Sequence, residues 1–319
     1  MNRSDRTDRR REPGTTGSTL RWLLLVVPLG LAGAGIAWAL AAADPVQPEA
    51  PARVLADIAG ATVLGLAALP RLHERLTPSW RPLAVLAGLW AATEFAMLAL
   101  EAAEVQGIPV ARMGAGRFGE YLTTVSGGQI GIAILIGCGA VAVYSAFAYR
   151  NPDRATVDLV LVFAAVTVAL RPITGHMSQQ MFGSVLAAVH ALAASAWFGL
   201  LLALALTVRT RGEWAAVLPR YSAWALPLAA AVALTGVVNG LIRVGGLTAL
   251  ATTGYGRILL AKTLLLAALL GLGWWWRTRW VPRAAEHRMT AESSLRRAIS
   301  EVLAMAVVFG LAATLAVTA

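Results

Sequence analysis

FGSVLAAVHALAASAWFGLLLALALT, residues 182–207, contains no Asp, Glu, Lys or Arg. An apolar run of roughly 20 residues crosses a bilayer as a helix, rising about 1.5 Å per residue through a hydrocarbon core of about 30 Å. The same reading repeats along the chain. Apolar spans are expected at 20–43, 53–70, 82–101, 129–149, 157–174, 182–207, 221–242, 257–276 and 297–318. The runs are continuous rather than alternating, which excludes a transmembrane barrel. The expected fold class is therefore all-α: a polytopic transmembrane helix bundle of about nine spans, or eight if the first is cleaved.

Composition agrees. The chain has 319 residues, 58% of them hydrophobic and 14% charged, where a soluble domain carries about 25% charged residues. The net charge of +10 would suggest nucleic acid in a soluble protein. Here the arginines sit in short loops between apolar runs, which is what membrane orientation requires. The expected surroundings are the lipid bilayer, with no nucleic acid. A lone cysteine, Cys138, excludes an intrachain disulfide framework and a Cys-based zinc site, and reads as a small packing residue.

Three regions follow: a basic, disordered cytoplasmic tail at 1–19, N-terminal membrane spans at 20–156, and a second membrane domain at 157–319. ALAAADP (39–45) looks like a signal-peptidase site. The apolar region before it is about 20 residues, longer than the usual 7 to 15, which favours an uncleaved anchor. With the N-terminus inside, the cytoplasmic loops hold Arg71, Arg75 and Arg81, then Arg150 and Arg154, then Arg209, Arg211 and Arg220, then six arginines between Arg277 and Arg297. The outer loops hold Arg53, then Arg112 and Arg117, then Arg243 and Arg257. Nine spans with N inside and C outside satisfy the positive-inside rule. Phe118, Tyr121, Leu122 and Val125 suggest a short interfacial helix in the outer segment 102–128.

Ionisable residues in a membrane cost about 2.5–3.5 kcal/mol each on the insertion scale, so their placement carries information. Asp57, Glu101, Arg171, His176, Arg243, Arg257 and Lys262 fall in the outer half or at its rim. Glu94 and His190 lie deeper, and only Asp158 and Glu301 sit towards the inside. This asymmetry suggests a polar cavity that opens outwards. Snorkelling is the alternative for Arg243, Arg257 and Glu101, and pairing across helices is the alternative for Glu94 and Lys262.

Two of the four histidines and two of the seven methionines share one stretch, GHMSQQMFGSVLAAVH (175–190). Met177 and Met181 are four apart, on one face if the loop is helical. His176 stands at the outer mouth and His190 about two turns into the span, where Asn239 is a candidate hydrogen-bond partner. Thioether and imidazole together suit copper, with Cu(I) favoured. Haem is the alternative cofactor: His176 and His190 are 14 apart and would return to one face of a continuous helix. A bis-histidine haem would then need partners that His73 and His287, both cytoplasmic, do not supply. The chain has no GxxxxGK[ST] stretch and no nucleophile-plus-base constellation, so neither direct ATP coupling nor an enzyme is expected.

The second half of the chain resembles the copper resistance protein D (CopD) family of bacterial inner-membrane proteins. The resemblance rests on Gly175-His176, HALAASAWFG (190–199), LTGVVNG (234–240), TGYGRILLAKTLLL (253–266) and LRRAISEVLAMAVV (295–308), over roughly residues 160 to 318. It implies copper movement across the inner membrane, beside a periplasmic copper-binding protein of the CopC type. Carried over by position, it implies a functional set of His176, His190, Trp197, Asn239, Tyr255, Lys262 and Glu301. Of these only the histidines suit copper, and Lys262 and Glu301 suit helix pairing or charge tuning in the path. A copper-delivery scaffold for oxidase assembly is the other function this resemblance leaves open.

Overall fold

The computed structural model describes residues 15–41, 48–174, 183–244 and 248–317. Among these there is no strand, and the fold is a helical bundle. Helix α1 (Thr15–Leu20), a 3-10 turn (Arg21–Leu25) and α2 (Val26–Ala41) make the first span. There follow α3 (Ala50–Leu72), α4 (Trp80–Val105), the short α5 (Ala115–Thr124), α6 (Ser126–Arg150) and α7 (Val157–Leu170). After them come α8 (Gly183–Thr207), α9 (Arg211–Val244), α10 (Ala249–Thr252), α11 (Gly254–Ala285) and α12 (Ala291–Val317).

Eight of these segments are long and apolar enough to cross a membrane, and α7 is the shorter ninth. The 3-10 turn Arg171–Thr174 continues α7. Together they reach roughly 29 Å, taking about 1.5 Å per α-helical and about 2.0 Å per 3-10 residue. The sequence-based bounds fall short mainly at α9 and α11. These helices begin at Arg211 and end at Ala285, beyond the apolar runs at 221–242 and 257–276. Many large side chains face outwards, among them Leu89, Ile136, Val143, Val162, Leu234 and Leu264. That pattern suits a hydrocarbon surround.

Helix α3 is the hub: most of it is buried, and it touches α2, α4, α7, α8 and α12. Glycine makes these contacts close. A Cβ on Gly199 of α8 would lie 1.8 Å from the Ala61 carbonyl oxygen of α3, and one on Gly65 would lie 2.0 Å from the Gly199 carbonyl oxygen. The Trp-x-Gly of 197–199 is thus, in its glycine, a helix-crossing device. The first span is held in the same way. A Cβ on Gly33 would meet Val307 O at 2.2 Å, and one on Gly310 would meet Gly30 O at 1.9 Å. Arg257 at the start of α11 adds hydrogen bonds from Nε to Leu40 O (2.7 Å) and from Nη2 to Ala41 O (3.1 Å). A residue open to a snorkelling reading therefore caps the end of α2.

Two helix ends close alike. After α4, Gly107 takes φ +62°, Gly107 N donates to Glu104 O and Ile108 N to Ala103 O. After α11, His287 takes φ 57°, its N donates to Ala284 O and Arg288 N to Arg283 O. Both are Schellman closures, the second on a residue with a Cβ. Helix α5 forms in the segment where a short helix is expected, with Tyr121 buried against Leu98 and Ala102. Cys138 packs in the core, as expected.

Candidate functional site

His190 lies on α8 facing α9. Its Nδ1 is 2.9 Å from Thr235 Oγ1. The Thr235 hydroxyl donates its single proton to Ala231 O at 2.5 Å, so towards the ring it accepts. The imidazole proton therefore sits on Nδ1, and Nε2 keeps its lone pair. A metal-binding histidine commonly has this arrangement, with an outer hydrogen bond fixing the tautomer and the ring's direction. Gly236 packs beside the ring: a Cβ there would stand 3.4 Å from Cε1, an ordinary contact. Thr-Gly in LTGVVNG thus places one hydrogen bond and one packing contact on the same ring. The partner is Thr235 rather than the expected Asn239, one turn further along, whose Oδ1 is buried without a partner.

Lys262 of α11 is in electrostatic reach of His190. It makes no ion pair among the described residues, whereas Glu94 pairs across helices with Arg171. Tyr255 stacks under Arg243, 4.3 Å from guanidinium to ring centroid. Its neighbours explain the rest of the signature: Thr253 caps α11 through Gly256 N at 3.0 Å, and a Cβ on Gly256 would lie 2.1 Å from Ala249 O. Trp197 lies seven residues after His190 on α8, two turns or about 10 Å along the axis. There the buried Tyr221 hydroxyl of α9 stands beside Trp197 and Glu301 of α12, with no hydrogen bond of good geometry. His190 and Lys262 thus stand at one level of the α8–α9–α11–α12 side and Trp197 and Glu301 at a second, while Tyr255, two turns before Lys262, lies beyond the first.

His176, Met177 and Met181 lie outside the described residues. Among the described residues no three His, Cys, Asp or Glu side chains are grouped as a metal site. Met97 is fully buried and Met113 packs against α5, so both act as packing. His73 accepts from Arg75 N at 3.1 Å in the loop after α3, and His287 closes α11. Among the described residues no second histidine faces His190, which leaves a bis-histidine haem without support.

Glu94, Glu101 and Arg171, each costly in a membrane by sequence, meet in the structure. Arg171 Nη2 pairs with Glu94 Oε2 and Nη1 lies 3.7 Å from Glu101 Oε1. Trp90 Nε1 donates to Glu94 Oε1 at 3.0 Å, and Tyr121 OH donates to Glu101 Oε2 at 3.5 Å. The seven-residue spacing of Glu94 and Glu101, which puts both on one face of α4, was the available signal.

Residues 215–315 match the family model for copper resistance protein D. The match bears out the resemblance from within α9 to within α12; His190 and Trp197 of α8 lie before it. No curated protein and no solved structure matches the chain.

Proposed function

We propose that this chain moves copper ions across the bacterial inner membrane, capturing them at the periplasmic face and passing them towards the cytoplasm. The observation that carries the reading is the His190–Thr235 contact: Nδ1 stands 2.9 Å from Thr235 Oγ1, whose proton goes to Ala231 O, and a ring proton held there leaves the Nε2 lone pair for a soft cation. His176, Met177 and Met181, which precede α8 in the sequence, complete the capture site. Neutral imidazole and thioether ligands suit Cu(I) and hold it weakly enough to release it, as a conduit needs. Trp197, Asn239, Tyr255, Lys262 and Glu301 line the path, and a periplasmic CopC-type protein delivers the ion. The N-terminus is cytoplasmic and the C-terminus outside, in keeping with the arginine distribution. Residues 157–319 act as the copper-handling domain.

The test is cellular copper under overexpression, with membrane protein level measured in parallel. Accumulation and copper sensitivity should rise, and His190→Ala should abolish both at normal protein level. Lower accumulation with greater tolerance would assign export or sequestration instead. Unchanged copper binding in both His176→Ala and His190→Ala would remove the capture site.

A further inference from the structure

A second polar cluster, at the end of the bundle that carries α5, contains none of the residues assigned to the copper path. Glu49, Arg53 and Asp57 come from the start of α3, Glu94 and Glu101 from α4, Tyr121 from α5, and Arg171 from the turn after α7. Glu104 stands on the surface beside them. The pairings are uneven. Arg171 serves both Glu94 and Glu101, and Arg53 Nε stands 3.9 Å from Asp57 Oδ2 without a hydrogen bond. Tyr121 steadies Glu101 but brings no charge.

Glu49 is left over. Its residue is 5% exposed, and its Oε2 is buried with no hydrogen-bond partner. The charges that act on it are Glu104, Glu101 and Arg53. Four carboxylates against two guanidiniums leave this partly buried set two negative charges in excess if all are ionised. An uncompensated buried charge is strongly unfavourable, and such a group neutralises instead. Arg171 pairs with Glu94 and Glu101 and Arg53 stands beside Asp57, whereas no guanidinium of the described residues is within ion-pair distance of Glu49, so neutralisation falls on Glu49.

We propose that Glu49, backed by Glu101, is a proton-exchange site at this end of the bundle, and that its charge controls how readily a cation enters. The second half of the statement rests on the copper reading above; the first does not. Desolvation raises the Glu49 carboxyl to about 7; a backbone hydrogen bond opposes the rise, Glu104 and Glu101 add to it, and Arg53 opposes it. Glu49 therefore changes charge across neutral pH while the arginines do not. Deprotonated, it adds a negative charge that attracts a cation; protonated, it withdraws it.

Infrared titration of the purified full chain tests the proton site without copper. The wild type should show a protonated-carboxyl stretch that disappears with a midpoint near 7. Glu49→Gln, whose amide replaces a neutral acid of the same shape, should lose one carboxyl's share of the band while the other buried carboxyls keep theirs, and Glu104→Gln should keep it whole. A band of undiminished amplitude and unchanged midpoint in Glu49→Gln overturns the proposal. So does a wild-type band seen only after divalent cations are chelated, because the compensating charge is then a metal ion. For the second half, initial copper uptake by cells should rise as external pH rises through neutrality, and Glu49→Gln should hold it at the low-pH rate throughout. Parallel pH profiles for the two overturn control by Glu49. Absence of uptake in the wild type at any pH, with the infrared band present, fails the copper reading and the control built on it, and leaves the proton site standing.

Discussion

Thr235 accepts a hydrogen bond from His190 Nδ1 at 2.9 Å because its own proton is committed to Ala231 O, one turn back on α9. A single hydroxyl thus decides which imidazole nitrogen is free. Thr235→Val keeps the shape and removes the acceptor. Loss of an outer-shell partner typically costs about 10- to 100-fold in metal affinity. Copper bound per molecule should fall on that scale, and Thr235→Ser should restore it at equal protein level. Full copper affinity in Thr235→Val would show that the tautomer is not what matters.

Gly199 crosses α3 with no room for a side chain, while Gly139 on α6 has nothing within 4 Å of an added Cβ. Gly199→Ala forces two backbones apart, and overpacking of this kind costs about 1–3 kcal/mol or more. Gly139→Ala should be neutral or gain up to about 1 kcal/mol in helix propensity. Thermal unfolding of the two variants in one detergent checks the contrast. Equal melting temperatures would contradict the α3–α8 crossing.

The spans were legible because long, continuous apolar runs have few other uses. The ends of α9 and α11 were not, since GEWAAVLPRY (212–221) and RTRWVPRAA (277–285) are mixed in polarity and become helix by extending one already formed. The residues with chemistry were partly legible. Glu94, Glu101 and Arg171 stood out as costly in a membrane, yet their meeting depends on how α4 turns towards the end of α7, which no local pattern encodes. For His190 the motif gave the right helix face and the wrong height: Asn239 lies on α9 one turn from Thr235. Lone polar residues mark a face, and only packing fixes the register between two helices.

His287 closes α11 at φ 57°, where the Cβ of an L-residue is unfavourable by about 1–2 kcal/mol. Gly107 closes α4 in the same geometry without that penalty. His287→Gly should therefore raise stability, by about 1 kcal/mol or less once the added unfolded-state freedom of glycine is offset. Copper phenotypes should not change, because His287 is at the end away from His190. A loss of copper accumulation in His287→Gly at normal protein level would give this histidine a role that its place in the fold does not.

Stability against pH reports the Glu49 environment separately from transport. The carboxyl has an ordinary value of 4.5 and is raised to about 7 in the folded chain. Below 4.5 it is protonated in both states and contributes no difference. Between these values the folded state binds the proton and the unfolded state does not, so stability falls as pH rises through this window and levels off above about 7. This slope is opposite to that of a carboxylate held by a salt bridge, which stabilises the fold as pH rises. Chemical denaturation of the purified chain at closely spaced pH values should show the decline, and Glu49→Gln should make it shallower while raising stability above neutrality. A decline of undiminished slope in Glu49→Gln would mean that the Glu49 carboxyl is already charged in the fold and that Arg53 compensates it.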